Sequence, residues 1–157
     1  MGMTRRKALK TGGGATLLTL LAAAGWLKPG DAIAQAWNKA AFEAKSMDEA
    51  MKALGTGAPA QSKDITFVST PDIAENGAVV PIEISSAIPG TTALIVVADN
   101  NPFPLIARFD FKEGALPFVK VNLKMGETSD VRVLAEAGGK HYVATKEVKV
   151  TIGGCGG

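Results

Sequence analysis

The sequence predicts an all-β fold, an immunoglobulin-like antiparallel β-sandwich preceded by a short helical segment. Three observations carry that expectation. From Ile65 onward the apolar residues recur with a period of two, which suits half-buried strands. The alternating runs are short and are separated by turn signals such as Asn76-Gly77, Pro89-Gly90 and Gly138-Gly139. The composition, 46% hydrophobic and 20% charged over 157 residues, is that of one ordinary globular domain and not of a disordered chain.

Residues 1–34 read as an export signal. A charged start at Arg5, Arg6, Lys7 and Lys10 is followed by an apolar core and by Ala32-Ile33-Ala34, whose small residues have cleavage-site spacing, so the mature chain is expected to begin at Gln35. The apolar stretch over 15–27 is too short to span a bilayer, and no stable membrane insertion is expected. Thr4-Arg5-Arg6-Lys7-Ala8-Leu9-Lys10 is similar to the twin-arginine motif, although Ala8 stands where a bulkier residue is usual. The glycines at 12–14 and the modest apolar core fit the same route. It exports folded proteins, so a partner without a signal of its own could travel with this chain.

A helical segment and linker are expected over 35–61. Trp37, Ala40, Ala41, Ala44, Met47, Met51 and Leu54 recur at three- and four-residue spacings, which predicts one helix or two short ones. Ser46 and Glu49 have the spacing of a capping box and would restart the helix after a break near Lys45. Asp48 and Glu49 at that start and Lys52 further on favour the macrodipole, and Gly55 supplies a stop. Gly55, Gly57 and Pro59 mark the run to Gln61 as a linker. Trp37, Phe42, Met47 and Met51 are expected to pack on the sandwich.

The sandwich is expected over 62–152. Val80, Ile82, Ile84 and Ile88 share one parity, with Pro81 suited to an edge or a strand start. The apolar run from Leu94 to Ala98 has the character of a strand covered on both faces. Phe103, Leu105, Ala107, Phe109 and Phe111 form one alternating stripe, and Val119, Val121, Leu123 and Met125 another. Val131 and Val133 lead through Gly138-Gly139-Lys140 into Tyr142, Val148, Val150 and Ile152. About seven strands in this arrangement fit a sandwich. Periodicity alone fits an open barrel as well.

Charge and residue inventory remove many functions. Five of the 17 basic residues and one of the 15 acidic ones lie in the first 34 positions, so the remainder carries 12 basic and 14 acidic residues and offers no electrostatic case for nucleic acid. With one cysteine and one histidine, no intramolecular disulfide is possible, and neither a multi-ligand metal site nor a cofactor is expected. His141 reads as an exposed strand-end residue. Asp99, Asn100 and Asn101 could suggest calcium but read as turn formers.

One feature carries chemistry. The last strand is followed by Gly153, Gly154, Cys155, Gly156 and Gly157, an arm over 153–157 with no side chain able to anchor it. Cys155 lacks the companions a metal ligand needs, and it is third from the end where a prenylation site needs the fourth. Nothing in sequence lowers its pKa, and the carboxylate of Gly157 opposes ionisation, so activation is expected from elsewhere. A carrier thus fits better than a catalyst. Two other readings stay open: a cross-linking cysteine on a structural exported sandwich domain, and a carrier activated as a thiocarboxylate at its terminal diglycine, as in ubiquitin-like proteins.

The terminal Gly-Gly-Cys-Gly-Gly, the twin-arginine leader, Glu49-Ala50-Met51-Lys52-Ala53-Leu54-Gly55 and Asn101-Pro102-Phe103-Pro104 together resemble the SoxY family, sulfur-carrier subunits of the periplasmic thiosulfate-oxidising system. The resemblance implies an immunoglobulin-like sandwich without catalytic residues, and Cys155 as the covalent carrier. It also implies a heterodimer with a small all-β SoxZ-like subunit in the periplasm. The implied enzymes are a haem-containing one that couples thiosulfate to the cysteine, a sulfate-releasing hydrolase and a sulfur dehydrogenase.

Overall fold

The computed structural model describes residues 38–152. Among these residues two short helices come first, α1 (Lys39–Phe42) and α2 (Met47–Leu54). Asn38 caps α1 by accepting from the Ala41 amide at 3.1 Å, and its own amide reaches the Ala53 carbonyl at 2.9 Å, which holds the two helices together. Ser46 caps α2, accepting from the Glu49 amide at 3.3 Å. The Glu49 carboxylate returns to the Lys45 amide at 3.0 Å, one residue earlier than a capping box requires. Gly55 ends α2 in the left-handed region, φ 68°, where a side chain would be strained.

Nine strands follow among the described residues. They are β1 (Ala60–Gln61), β2 (Ile65–Ser69), β3 (Ile73–Ala74), β4 (Val80–Ser86), β5 (Thr91–Ala98), β6 (Leu105–Asp110), β7 (Phe118–Leu123), β8 (Ser129–Ala137) and β9 (Lys140–Val150). The larger sheet has the order β1-β9-β8-β5-β6, with β3 also on β9, and the smaller has the order β2-β4-β7. Every pairing among the seven longer strands is antiparallel. The result is an all-β sandwich.

Two differences from the sequence-based reading concern β9. Ala60 and Gln61, expected in a linker, pair parallel with Tyr142 and Val143, and β3 pairs parallel with Lys149 and Val150. Such two-residue pieces have no periodic signal of their own. Both occupy the outer edge of β9, an edge that would otherwise present unpaired backbone groups. The turn from β8 into β9 is the expected one: Gly138 and Gly139 have φ of 57° and 72°, the positive pair that a two-residue hairpin needs.

The core has two parts because the larger sheet is covered on both faces. Between the sheets lie Ile82 and Ile84 of β4, Leu94 and Val96 of β5, Leu123, and Val131 and Val133 of β8. On the other face, Ile95, Val97, Leu105, Leu134 and Val143 are buried with Ala41, Ala44 and Ala50 of the helical segment. Phe42, Met47 and Met51 pack there as expected, while Trp37 lies outside the described residues. The small alanines let the helices approach the sheet closely. The run Leu94–Ala98 is wholly apolar because β5 alternates between these two cores.

The aromatic stripe of β6 is not one face. Val96 pairs with Ala107 but Val97 pairs with Leu105, so Ile106 is an extra residue in a bulge. The bulge reverses the alternation: Leu105 joins the core under the helices, whereas Ile106, Phe109 and Phe111 pack against the core between the sheets. Pro81 sits near the start of β4, where only β7 pairs with it, as its missing N–H requires.

Candidate functional site

The predicted carrier residues, Gly153, Gly154, Cys155, Gly156 and Gly157, lie outside the described residues. The structure describes the place from which they depart. The β8–β9 ladder ends at Ser129 and Val148, so the following residues must find partners elsewhere. The segment 72–77 supplies them. Lys149 donates to the Asp72 carbonyl at 2.9 Å and Thr151 to the Ala74 carbonyl at 3.1 Å, and the Ile152 carbonyl accepts from the Gly77 amide at 2.7 Å. Two hydroxyls close the arrangement. Thr151 Oγ1 donates to the Glu75 carbonyl at 2.9 Å, and Thr128 Oγ1 accepts from the Val150 amide at 2.9 Å.

Neighbouring loops are bound into the same end of the sandwich. The Gly77 carbonyl accepts from the amide of Met125, a fully buried residue, at 2.7 Å. Asn101 donates to the Lys124 carbonyl at 2.8 Å and accepts from the Gly126 amide at 3.1 Å, while Asn100 donates to the Thr128 carbonyl at 2.8 Å. The asparagines therefore build turns, as their residue type suggested. Lys45 places its ammonium 3.6 Å from the centre of the Phe103 ring, joining the helical segment to the loop that precedes β6.

Two arginines near the helix-covered face are paired with carboxylates. Arg132 holds both oxygens of Asp99 from Nε, at 3.0 and 2.8 Å. Its pKa is raised, mainly by that hydrogen bond against the opposing effect of burial. Arg108 meets Asp110 and Glu136, each at 2.9 Å; burial works to lower its pKa, but the two carboxylates outweigh it and the pKa is raised. His141, expected to be exposed, is instead partly covered, with Nε2 3.9 Å from Glu136. Its position next to Glu136 across the β8–β9 hairpin explains the difference.

Among the described residues, no group of three or more His, Cys, Asp or Glu side chains could hold a metal ion. The hydroxyls of Thr128 and Thr151 gave no signal in the sequence, because their partners are 22 and 76 residues away. Asn76-Gly77 was legible as a turn, but not as the contact point for Ile152.

Comparison with known proteins gives a family match. The family described as sulfur oxidation protein SoxY matches residues 50–155. Among solved structures, the sulfur carrier protein SoxY from Chlorobium limicola f thiosulfatophilum is 38% identical, covering 68% of this chain and 97% of that one with a TM-score of 0.60. A superoxide reductase (neelaredoxin) from Ignicoccus hospitalis is 16% identical over 67% of this chain and 92% of its own, with a TM-score of 0.48, a likeness too weak to bear on function. No curated protein sequence matches the chain.

Proposed function

This chain belongs to the SoxY family of sulfur oxidation proteins, and on that premise we propose that it is a sulfur carrier whose Cys155 covalently holds intermediates derived from thiosulfate. One observation carries the reading. The family match runs to residue 155, and Cys155 stands three residues past Ile152, between two pairs of glycines. At about 3.3–3.6 Å per residue, the sulfur can stand roughly 10 Å from the last anchored carbonyl. A segment without side chains can enter a narrow active-site channel, and glycine is free to take whatever backbone path that channel demands.

The reaction sequence balances on the cysteine. A haem-containing enzyme removes two electrons as the Cys155 sulfur bonds to the outer sulfur of thiosulfate, leaving a cysteine S-thiosulfonate. Water then displaces sulfate and a persulfide stays on the arm. A sulfur dehydrogenase oxidises that sulfane sulfur to the sulfonate level with oxygen from water, and a second hydrolysis releases sulfate and restores the thiol. Each redox or hydrolytic step is done by a partner enzyme. No Lys, Arg or His adjoins Cys155 in sequence, so the partners also favour the thiolate.

The same reading places the protein in the periplasm by twin-arginine export of residues 1–34, folded and paired with a SoxZ-like all-β subunit. No described helix is long and apolar enough to cross a membrane. The ubiquitin-like alternative is not favoured: its fold has a helix between strands, whereas α1 and α2 both precede every described strand. Intact-mass measurement of the mature protein after incubation with thiosulfate and the haem enzyme tests the proposal. A thiosulfate adduct that disappears in Cys155→Ser is expected, and an adduct that survives the substitution overturns it.

A further inference from the structure

We propose that the contacts of Ala74, Glu75, Gly77 and Thr128 with residues 150–152 form a clasp that fixes the fulcrum of the carrier arm, making Thr128 and Thr151 positioning residues for sulfur transfer. The inference rests on the carrier reading of Cys155. The observation behind it is that the chain stays bound after its β8 partner has ended, first by the two-residue strand β3 and then by Glu75 and Gly77. The β8 ladder stops at Val148, yet every residue from Lys149 to Ile152 is held by a backbone or hydroxyl hydrogen bond. The clasp straddles the edge of the core: Ala74 is buried in it and Val150 packs against it, whereas Thr151, Ile152, Glu75 and Asn76 are exposed. Burial accounts for the contacts of Ala74 and Val150 but not for the bonds to the exposed Thr151 and Ile152, for which control of chain length beyond the fold gives a direct reason.

The effect can be worked out from residue numbers. With the clasp closed, Cys155 stands three positions beyond Ile152; with Lys149–Ile152 all released, it stands seven beyond Val148. Extended reach grows from roughly 10 Å to roughly 25 Å. A longer tether dilutes its tip: effective concentration falls as about the −3/2 power of length, so opening lowers local presentation of the sulfur about three- to fourfold. The clasp keeps the thiol close to the rim where a partner enzyme must seat to reach it.

The test measures reach directly. A nitroxide is placed on Cys155 and another on a cysteine introduced by Lys140→Cys, an exposed position at the far end of β9, and their distance distribution is recorded by pulsed electron spin resonance. The double variant Thr128→Val and Thr151→Val is expected to broaden the distribution and to speed hydrogen exchange at the Gly77, Val150 and Thr151 amides. The pair Thr128→Ser and Thr151→Ser, which keeps both hydroxyls, is expected to restore the parent width. With thiosulfate-loaded protein and the sulfate-releasing hydrolase, kcat/KM is expected to fall in the valine pair, by at most the three- to fourfold of full release, while alkylation of Cys155 by iodoacetamide keeps its rate. An unchanged distribution, or broadening that the serine pair also produces, overturns the clasp. A thiosulfate adduct that survives Cys155→Ser overturns the carrier reading instead and leaves the distance result standing.

Discussion

Leu134→Ala probes the second core, the one under the helices. Leu134 is fully buried on the helix-covered face of β8, in one cluster with Ile95, Val97 and Val143 and with Ala41, Ala44 and Ala50. The substitution removes three carbons, and at about 0.8 kcal/mol for each buried methylene the lost transfer energy is roughly 2.4 kcal/mol. The alanines above it have no side chain with which to fill the space, so a residual cavity raises the cost towards about 4–5 kcal/mol. For a domain of this size, each kcal/mol lowers Tm by roughly 3–5 °C, which predicts a fall of about 12–25 °C. Urea unfolding followed by far-UV circular dichroism measures the loss, with the midpoint shifting and the slope unchanged. Leu54→Ala, at a half-buried position on the same cluster, is expected to cost about 1 kcal/mol. A loss below about 1 kcal/mol for Leu134→Ala would refute the reasoning, since it would mean that the helices do not seal this face of the sheet.

Gly55→Ala puts a side chain at φ 68° and is expected to destabilise by about 1 kcal/mol in the same urea assay, with no change in Cys155 alkylation. Asp99→Asn leaves Arg132 half-covered without its carboxylate and is expected to cost about 1–2 kcal/mol. The raised pKa of Arg132 means that its contribution is fully present below the ordinary guanidinium value of the unfolded chain and is lost only as pH rises through the still higher folded value. The difference between wild type and Asp99→Asn should therefore not change through titration of Arg132 between about pH 6 and 9, as urea midpoints across that range will test. Gly154→Val is expected to slow partner-dependent sulfate release while leaving the urea midpoint in place; an equal loss of both would contradict the tether.

The legible parts of this fold are those with a local physical signature. Alternation marked β4, β7 and β8, the Ser46 cap and Gly55 stop bounded α2, and the glycine pair at 138 and 139 announced its hairpin. The run Leu94–Ala98 announced two buried faces, but not that alanine-rich helices would cover one of them. What stayed hidden depends on partners distant in sequence. The bulge at Ile106 exists only in register with β5, so the stripe from Phe103 to Phe111 read as one face when it serves two. The two-residue strands β1 and β3 have no pattern until β9 lies beside them. At the candidate site, the thiol and its glycines were readable from residue type alone. The threonine hydroxyls at its root were not, because a hydroxyl hydrogen bond across 76 residues leaves no trace in composition or spacing.

The central claim is that sulfur rides on Cys155 between enzymes, and isotope tracing tests it most directly. Thiosulfate labelled only in its outer sulfur is supplied with the haem enzyme and the sulfate-releasing hydrolase, and the protein is then cleaved and its C-terminal peptide weighed. The account predicts one labelled sulfur on the peptide containing Cys155, and none on that peptide from Cys155→Ser. Label that leaves with the first sulfate, or that settles on any other peptide, would contradict it.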